Sequence, residues 1–145
     1  MNKNIQEQEI KKLNKLWHEL LNSNKLNVCT QELEGATPLE VNILRVVGES
    51  PDIILKEICQ KLNLVNSTLT SAINRLEKRE LLYRTITNRD LRSFGLKLTE
   101  KGEKALADHI QGEEKIIEMM LGSFEGSKER AEFIRLFDKM INSIL

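Results

Sequence analysis

Apolar residues recur along this chain with two periods, and the switches between them mark out the elements. From Ile5 to Leu21 the period is helical. Ile10, Leu13, Leu16, Trp17, Leu20 and Leu21 form one stripe, with Lys11, Lys12, Lys15 and Glu19 opposite. Asn22 to Gly35 is polar and irregular, and reads as a linker. Thr37-Pro38-Leu39-Glu40 is a sharp helix start: a capping hydroxyl, a proline suited to the first helical position, and a carboxylate able to reach back. The second helix that follows is apolar on nearly all sides through Leu39, Val41, Ile43, Leu44, Val46 and Val47, which predicts burial. Gly48 is its expected end, Glu49-Ser50-Pro51-Asp52 the turn, and Ile53 a strand stub. A third helix is predicted over Leu55–Leu62, with Leu55, Ile58, Cys59 and Leu62 facing inward and Asn63 as its stop. Leu64 plugs the angle before a fourth helix, Asn66 to Arg79, which Asn66 or Val65 begins and for which Asn66 is a good cap.

The period then shortens to two. Leu81–Ile86 and Phe94–Leu98 read as paired strands, with Thr87–Ser93 as a polar tip between them. After Thr99, a cap, the helical period returns and runs to about Leu121 through Leu106, Ile110, Ile116, Ile117 and Met120, with Gly112 as a weak point midway. Gly122–Gly126 is a turn. Ser127 is the expected cap of a last helix striped by Phe133, Phe137, Met140, Ile141 and Ile144.

The fourth helix is the centre of this arrangement. At 100° per residue, Leu69, Ala72, Ile73 and Leu76 share one side, and Ser67, Thr70, Ser71, Asn74 and Lys78 share the other. That outer face is small and uncharged near its start and basic near its end, where a solvated face would mix charges. Short hydroxyl and amide side chains at a helix N-terminus suit close approach to base edges and phosphates, which is how the second helix of a helix-turn-helix meets a major groove. A basic hairpin beside such a helix is a wing, and its arginines suit a narrow minor groove. A plain solvated turn is the alternative for the tip alone. The expected fold is therefore mainly α with a small β wing: a winged helix-turn-helix over 37–98, flanked by an N-terminal helix and linker over 1–36 and C-terminal helices over 99–145. The first, fifth and sixth helices carry more apolar surface than the lobe can cover, so they are expected to be dimerisation helices.

Composition narrows the function. The chain has 145 residues, is 40% hydrophobic and 30% charged, and has a formal net charge of zero, which argues against a general nucleic-acid coat. The base is concentrated, however. Between Asn66 and Arg92, Arg75, Lys78, Arg79, Arg84, Arg89 and Arg92 stand against Glu77, Glu80 and Asp90, so one face alone is suited to a polyanion. No apolar run approaches membrane-spanning length and Met1–Glu9 has no signal-peptide pattern, so a cytoplasmic location is expected. Cys29 and Cys59, with His18 and His109, make no metal-ligand spacing. Cys29 reads as a spectator thiol and Cys59 as a small residue packed on the next helix, so the sequence gives neither a redox role. No nucleophile, base and oxyanion donors converge, so neither an enzyme nor a cofactor is expected.

The order of elements and several local phrases resemble the MarR family of multiple-antibiotic-resistance regulators. The carrying residues are Leu64-Val65-Asn66-Ser67-Thr68-Leu69-Thr70, Leu76-Glu77-Lys78-Arg79, Asp90-Leu91-Arg92-Ser93 and Leu98-Thr99-Glu100-Lys101-Gly102. The resemblance implies a homodimeric winged helix-turn-helix regulator, a repressor more often than an activator, on pseudo-palindromic double-stranded DNA. It also implies an effector pocket between the dimerisation helices and the DNA-binding lobe, often for small aromatic compounds; here that places Trp17, Leu21 and Leu44 near it. Ser71 stands where many relatives carry a base, Ile54 where a capping Ser or Thr is common, and Glu80 where glycine is usual. The first helix lacks the cysteine of thiol-sensing relatives. The expected DNA contacts are Asn66, Ser67, Thr68, Thr70, Ser71, Asn74, Arg75 and Lys78 on the fourth helix, with Arg89 and Arg92 on the wing and Asp90 holding Arg92 by a charge-assisted hydrogen bond. The rival reading is a winged-helix module that binds protein without specific DNA binding.

Overall fold

The computed structural model describes residues 5–28, 30–86 and 93–145. Its elements follow in the order α1 (Glu7–Leu21), α2 (Pro38–Glu49), β1 (Ile53–Ile54), α3 (Leu55–Leu62), α4 (Asn66–Lys78), β2 (Leu82–Ile86), β3 (Phe94–Leu98), α5 (Glu100–Gly122) and α6 (Gly126–Ile144), with short 3-10 turns at Asn24–Leu26 and Gln31–Leu33. This is a mainly helical fold with a small antiparallel wing, as the two periods in the sequence predict.

The caps explain where each helix begins. At α2 the reciprocal pair is complete: Thr37 Oγ1 accepts from the Glu40 N–H at 3.2 Å, and Glu40 Oε2 accepts from the Thr37 N–H at 3.0 Å. At α3, Ile54 has no side-chain acceptor, and only the return half is made, with Glu57 Oε2 accepting from the Ile54 N–H at 3.1 Å. At α4 the cap position belongs to Val65, with no side-chain cap. Asn66 is the first helical residue and not the cap; its Oδ1 accepts instead from the Cys59 thiol at 3.4 Å. At α6 the helix starts at Gly126, φ 73, ahead of Ser127, and Glu129 Oε2 accepts from the Glu125 N–H at 2.7 Å. Ser127 therefore lies inside the helix and does not cap it.

The stops follow the same logic. Gly48 does not end α2, which continues through Glu49. A Cβ at Gly48 would lie 3.0 Å from Leu106 Cδ2 and 3.2 Å from Leu98 Cδ1, so this glycine makes room for packing and does not terminate the helix. α3 ends at Asn63 in the left-handed conformation, φ 51, with the Asn63 and Leu64 N–H groups both on the Cys59 carbonyl. α4 ends the same way at Glu80, φ 58: the Glu80 N–H reaches Glu77 O at 2.8 Å and the Leu81 N–H reaches Leu76 O at 3.1 Å. The accompanying apolar contact is supplied by Leu76 and Leu81, both wholly buried.

The sheet has the order β1-β3-β2, antiparallel throughout. Its register pairs Leu82 with Leu98, Arg84 with Leu96 and Ile86 with Phe94, and between them Tyr83 with Lys97 and Thr85 with Gly95. By the alternation of strand side chains, these two sets lie on opposite faces.

The chain divides into two compact units. One runs to Gly112, from just after Val28, and contains the helix-turn-helix, the sheet and the start of α5. Ile43, Leu44, Val47, Ile58, Leu69, Ile73, Leu76, Leu81 and Leu96 form its core, together with Ala105 from α5. Each large side chain buried there contributes about 1.5–3 kcal/mol against exposure. The other unit holds the residues up to Val28 and Glu113–Leu145. It presents the reverse picture: neither α1 nor α6 has a buried residue, and Leu13, Trp17 and Phe137 are 68%, 55% and 50% exposed. Phe133 stacks between Phe124 and Phe137, with ring centroids 4.8 and 5.7 Å apart.

Candidate nucleic-acid interface

The outer face of α4 is built as its sequence dictates. Leu69, Ala72, Ile73 and Leu76 are wholly buried, so helical geometry turns Ser67, Thr68, Thr70, Ser71, Asn74 and Lys78 outward, and all six are exposed. Asn66 is exposed at the N-terminal end. The wing residues Arg89, Asp90 and Arg92, like Cys29, lie outside the described residues.

Three arginines counted among the basic residues of this region have partners within the fold. Arg75 donates from Nε to Glu40 Oε1, and Glu40 is 3% exposed. The same carboxylate caps α2 through its other oxygen, so one buried acid ties the start of α2 to the reading helix. Arg79 donates from Nη2 to the carbonyls of Glu32 and Glu34, at 2.7 and 2.9 Å, pinning the linker to the end of α4. Arg84 lies on the wing face that looks toward α4. It donates to Asn74 Oδ1 at 2.8 Å, pairs through Nε with Glu77 Oε1 at 3.2 Å, and lies 4.6 Å over the Phe94 ring. In the sequence these bases stand only as charge. The partners of Arg75 and Arg79 are distant in sequence, and those of Arg84 lie on the neighbouring elements α4 and β3, where no helical or strand spacing signals them.

The wing is fastened to α4 by consecutive carbonyls. Lys101 Nζ donates to Arg79 O at 3.0 Å, Thr99 Oγ1 to Glu80 O at 2.6 Å, and the Thr99 N–H to Leu81 O at 3.1 Å. Thr99 Oγ1 also accepts from the Gly102 N–H at 2.9 Å and so caps α5. A Cβ at Gly102 would lie 1.8 Å from Leu81 O, so only glycine allows this approach. On the sheet face away from Arg84, Asp52 (φ 66) accepts from the Thr85 hydroxyl at 2.7 Å and pairs with Lys97 at 3.3 Å. The Thr85 hydrogen bond, aided by Lys97 and opposed by desolvation, holds the Asp52 carboxyl below its usual value.

The residues placed near an effector pocket fall in both units. Trp17 lines an apolar cleft of about 700 Å³ with Ile10, Leu13, Phe137 and Met140, and Leu21 is exposed further along α1. Leu44 is wholly buried in the core of the other unit, where it has no surface to offer a ligand. That unit has its own cleft of about 520 Å³, lined by Gly48, Tyr83, Leu98, Leu106 and Ile110 with Arg45 and Lys97. Its lining comes from α2, both wing strands and α5, so no stretch of sequence announces it. Cys59 is half-buried and not fully enclosed, since its thiol faces Asn66 at the turn between α3 and α4. Among the described residues no His, Cys, Asp and Glu cluster could hold a metal ion, and no helix is long and apolar enough to cross a membrane.

A polar reading helix, an antiparallel wing fastened to its end and a buried three-helix core build a winged helix-turn-helix, an architecture suited to a DNA-binding transcription regulator. The MarR family model matches residues 36–94 of this chain. It is 29% identical over 119 residues to the uncharacterized HTH-type transcriptional regulator YwhA of Bacillus subtilis, covering 77% of this chain and 84% of that protein. It is 25% identical over 111 residues to the HTH-type transcriptional repressor MdtR of the same organism, covering 77% and 71%. The fold matches that of Streptococcus pneumoniae FabT, solved in complex with DNA, with a TM-score of 0.77 at 20% identity over 96% of this chain and 97% of that one.

Proposed function

We propose that the protein is a dimeric, sequence-specific repressor that reads a pseudo-palindromic operator with α4 in the major groove and the wing, through Arg89 and Arg92, in the flanking minor groove. The observation that carries this is the exposed face of α4, which is small and polar at its start and ends at Lys78, with the one acid of the helix, Glu77, half-buried and paired with Arg84. Asn66, Ser67, Thr68, Thr70, Ser71 and Asn74 are the base-edge or sugar-phosphate contacts, and Lys78 is a phosphate contact. Arg75 acts mainly through Glu40, setting the angle of the helix. Asp90 orients Arg92. Two copies pair through the apolar stripes of α1 and α6, which would otherwise leave Leu13, Trp17 and Phe137 in water.

A small aromatic effector completes the reading. It acts by preferring one spacing of the two reading helices, since a ligand shifts an equilibrium only by its differential affinity for the two states. Trp17, on the stripe of α1, supplies the optical reporter. Selection of bound sequences from a random duplex pool tests the DNA reading: enrichment of a palindromic site supports it, and retention of protein partners with no enriched DNA rejects it in favour of a protein-binding module. Small aromatic acids that neither shift the melting temperature nor quench Trp17 leave a repressor without an effector.

A further inference from the structure

Resting on the placement of α4 in the major groove, we infer that Arg84 is a specificity-determining positioning residue: it fixes Asn74 so that the amide offers its NH2 group to DNA and reads the acceptor edge of guanine, not the mixed edge of adenine.

Asn74 shares the outer face of α4 with Thr70, Ser71 and Lys78, and is exposed. A free asparagine pairs with adenine by two bonds at once, its oxygen accepting from N6–H and its nitrogen donating to N7. Here the oxygen is taken. Arg84 Nη2 donates to Asn74 Oδ1 at 2.8 Å. Arginine has donors only, so the amide atom facing it must be the oxygen, and the NH2 group turns the other way. Arg84 is itself held at three points: Glu77 takes Nε, Asn74 takes Nη2, and Phe94 supports the guanidinium plane. It therefore orients the amide before DNA arrives, at little entropic cost on binding.

The second lone pair of Asn74 Oδ1 does not restore adenine reading. An N6–H approaching it comes in beside a full positive charge, and both carry positive potential. That charge favours a base edge made of acceptors, and guanine alone presents two in the major groove, O6 and N7. Arg84 thus acts on specificity through Asn74. Glu77 offsets part of its charge and keeps it from collapsing onto a phosphate.

The test is selection from a random duplex pool at one fixed salt concentration, using the wild type, Asn74→Asp, Asn74→Ala and Arg84→Met, each checked by circular dichroism for a native melt. The wild type should enrich one guanine per half-site that depends on residue 74. Asn74→Asp keeps the bond to Arg84 but turns an acceptor outward, so that position should change to cytosine or adenine, which present amino groups, with a preference of roughly 5-fold or more. Asn74→Ala should flatten that position and no other. Arg84→Met frees the amide and should convert the position to adenine. If Arg84→Met does not fold, the two Asn74 variants decide, since both keep Arg84 with its Glu77 and Phe94 contacts. An unchanged preference at every position for Asn74→Ala, or guanine retained by a folded Arg84→Met, overturns the inference while leaving the regulator reading intact. Failure of the wild type to enrich any sequence overturns the placement of α4 first, and this inference with it.

Discussion

Glu80 is the residue whose cost can be stated most directly. It holds φ 58, a left-handed conformation that disfavours a side chain by roughly 1 kcal/mol. It also puts a carboxylate at the C-terminal end of α4, where the macrodipole disfavours negative charge. Glu80→Gly should therefore stabilise the fold by about 0.5–1 kcal/mol after allowing for the greater unfolded freedom of glycine, read as a higher urea midpoint. A lower midpoint would mean that the side chain has a role that its backbone strain conceals. Asp52 makes a pH-dependent contribution. Its folded pKa is depressed by the Thr85 hydrogen bond and then by Lys97, so it stabilises the fold above its unfolded pKa, near 3.9, and loses that effect as pH falls through the folded value. Asn tolerates the positive φ at this position, so Asp52→Asn is a clean comparison. The melting temperature of the wild type should exceed that of Asp52→Asn near neutral pH, and the difference should shrink on acidification through the carboxylate range. A constant difference down to pH 2 would exclude this linkage.

Among the elements, α1 and α6 make the clearest demand. An amphipathic helix is held by what covers its apolar face, and neither of these has a buried residue within the protomer. Phe137→Glu would place a charge in the proposed dimer seam and should yield monomers or insoluble protein, visible by sedimentation. A stable wild-type monomer at micromolar concentration would remove the seam altogether. The elements also show what a sequence can and cannot disclose. The end of α4 was legible because an abrupt helix stop before a strand often places a left-handed residue just past the helix, as at Glu80. The cap of α2 was legible because Thr37 and Glu40 are three residues apart. Gly48, by contrast, signals a stop by its type and is a packing residue by its surroundings, the Leu98 and Leu106 side chains. The requirement for glycine at Gly102 is set by the Leu81 carbonyl across the wing. The partners of Arg75 and Arg84 are also fixed only once the chain is folded, which is why a count of charges overstated the base available to DNA.

At the scale of the whole molecule, a neutral chain binding a polyanion must do so through a few placed charges, and salt dependence separates them. Lys78→Ala should weaken binding to all sequences alike and make the salt slope shallower by about one unit, as loss of one phosphate contact does. Arg92→Ala should cost about 1–3 kcal/mol, with the greatest loss on sites flanked by A·T pairs. Equal affinities for Arg92→Ala and wild type at matched salt would remove the wing from the minor groove. Half-sites about 10 bp apart are expected from the two-fold symmetry of the proposed dimer, and footprints of the selected sites measure that spacing.

The fastening of Arg79, Glu80 and Leu81 to Thr99 and Lys101 makes the intervening hairpin a closed loop, tied off at its neck. A loop closed in this way is insulated: its length can vary without changing the path of the chain on either side. The entropy of a longer loop grows only logarithmically, by about 0.6 kcal/mol for each doubling. Inserting four Gly or Ser residues within 87–92 should therefore leave the melting temperature within a few degrees of wild type while removing the preference for A·T flanks. A large drop in melting temperature would show that the tip, and not the neck, holds the wing in place. With an insulated neck, the flank preference proposed for the wing becomes an exchangeable part, open to change by insertion and deletion as well as by substitution, while the core beneath it stays as it is.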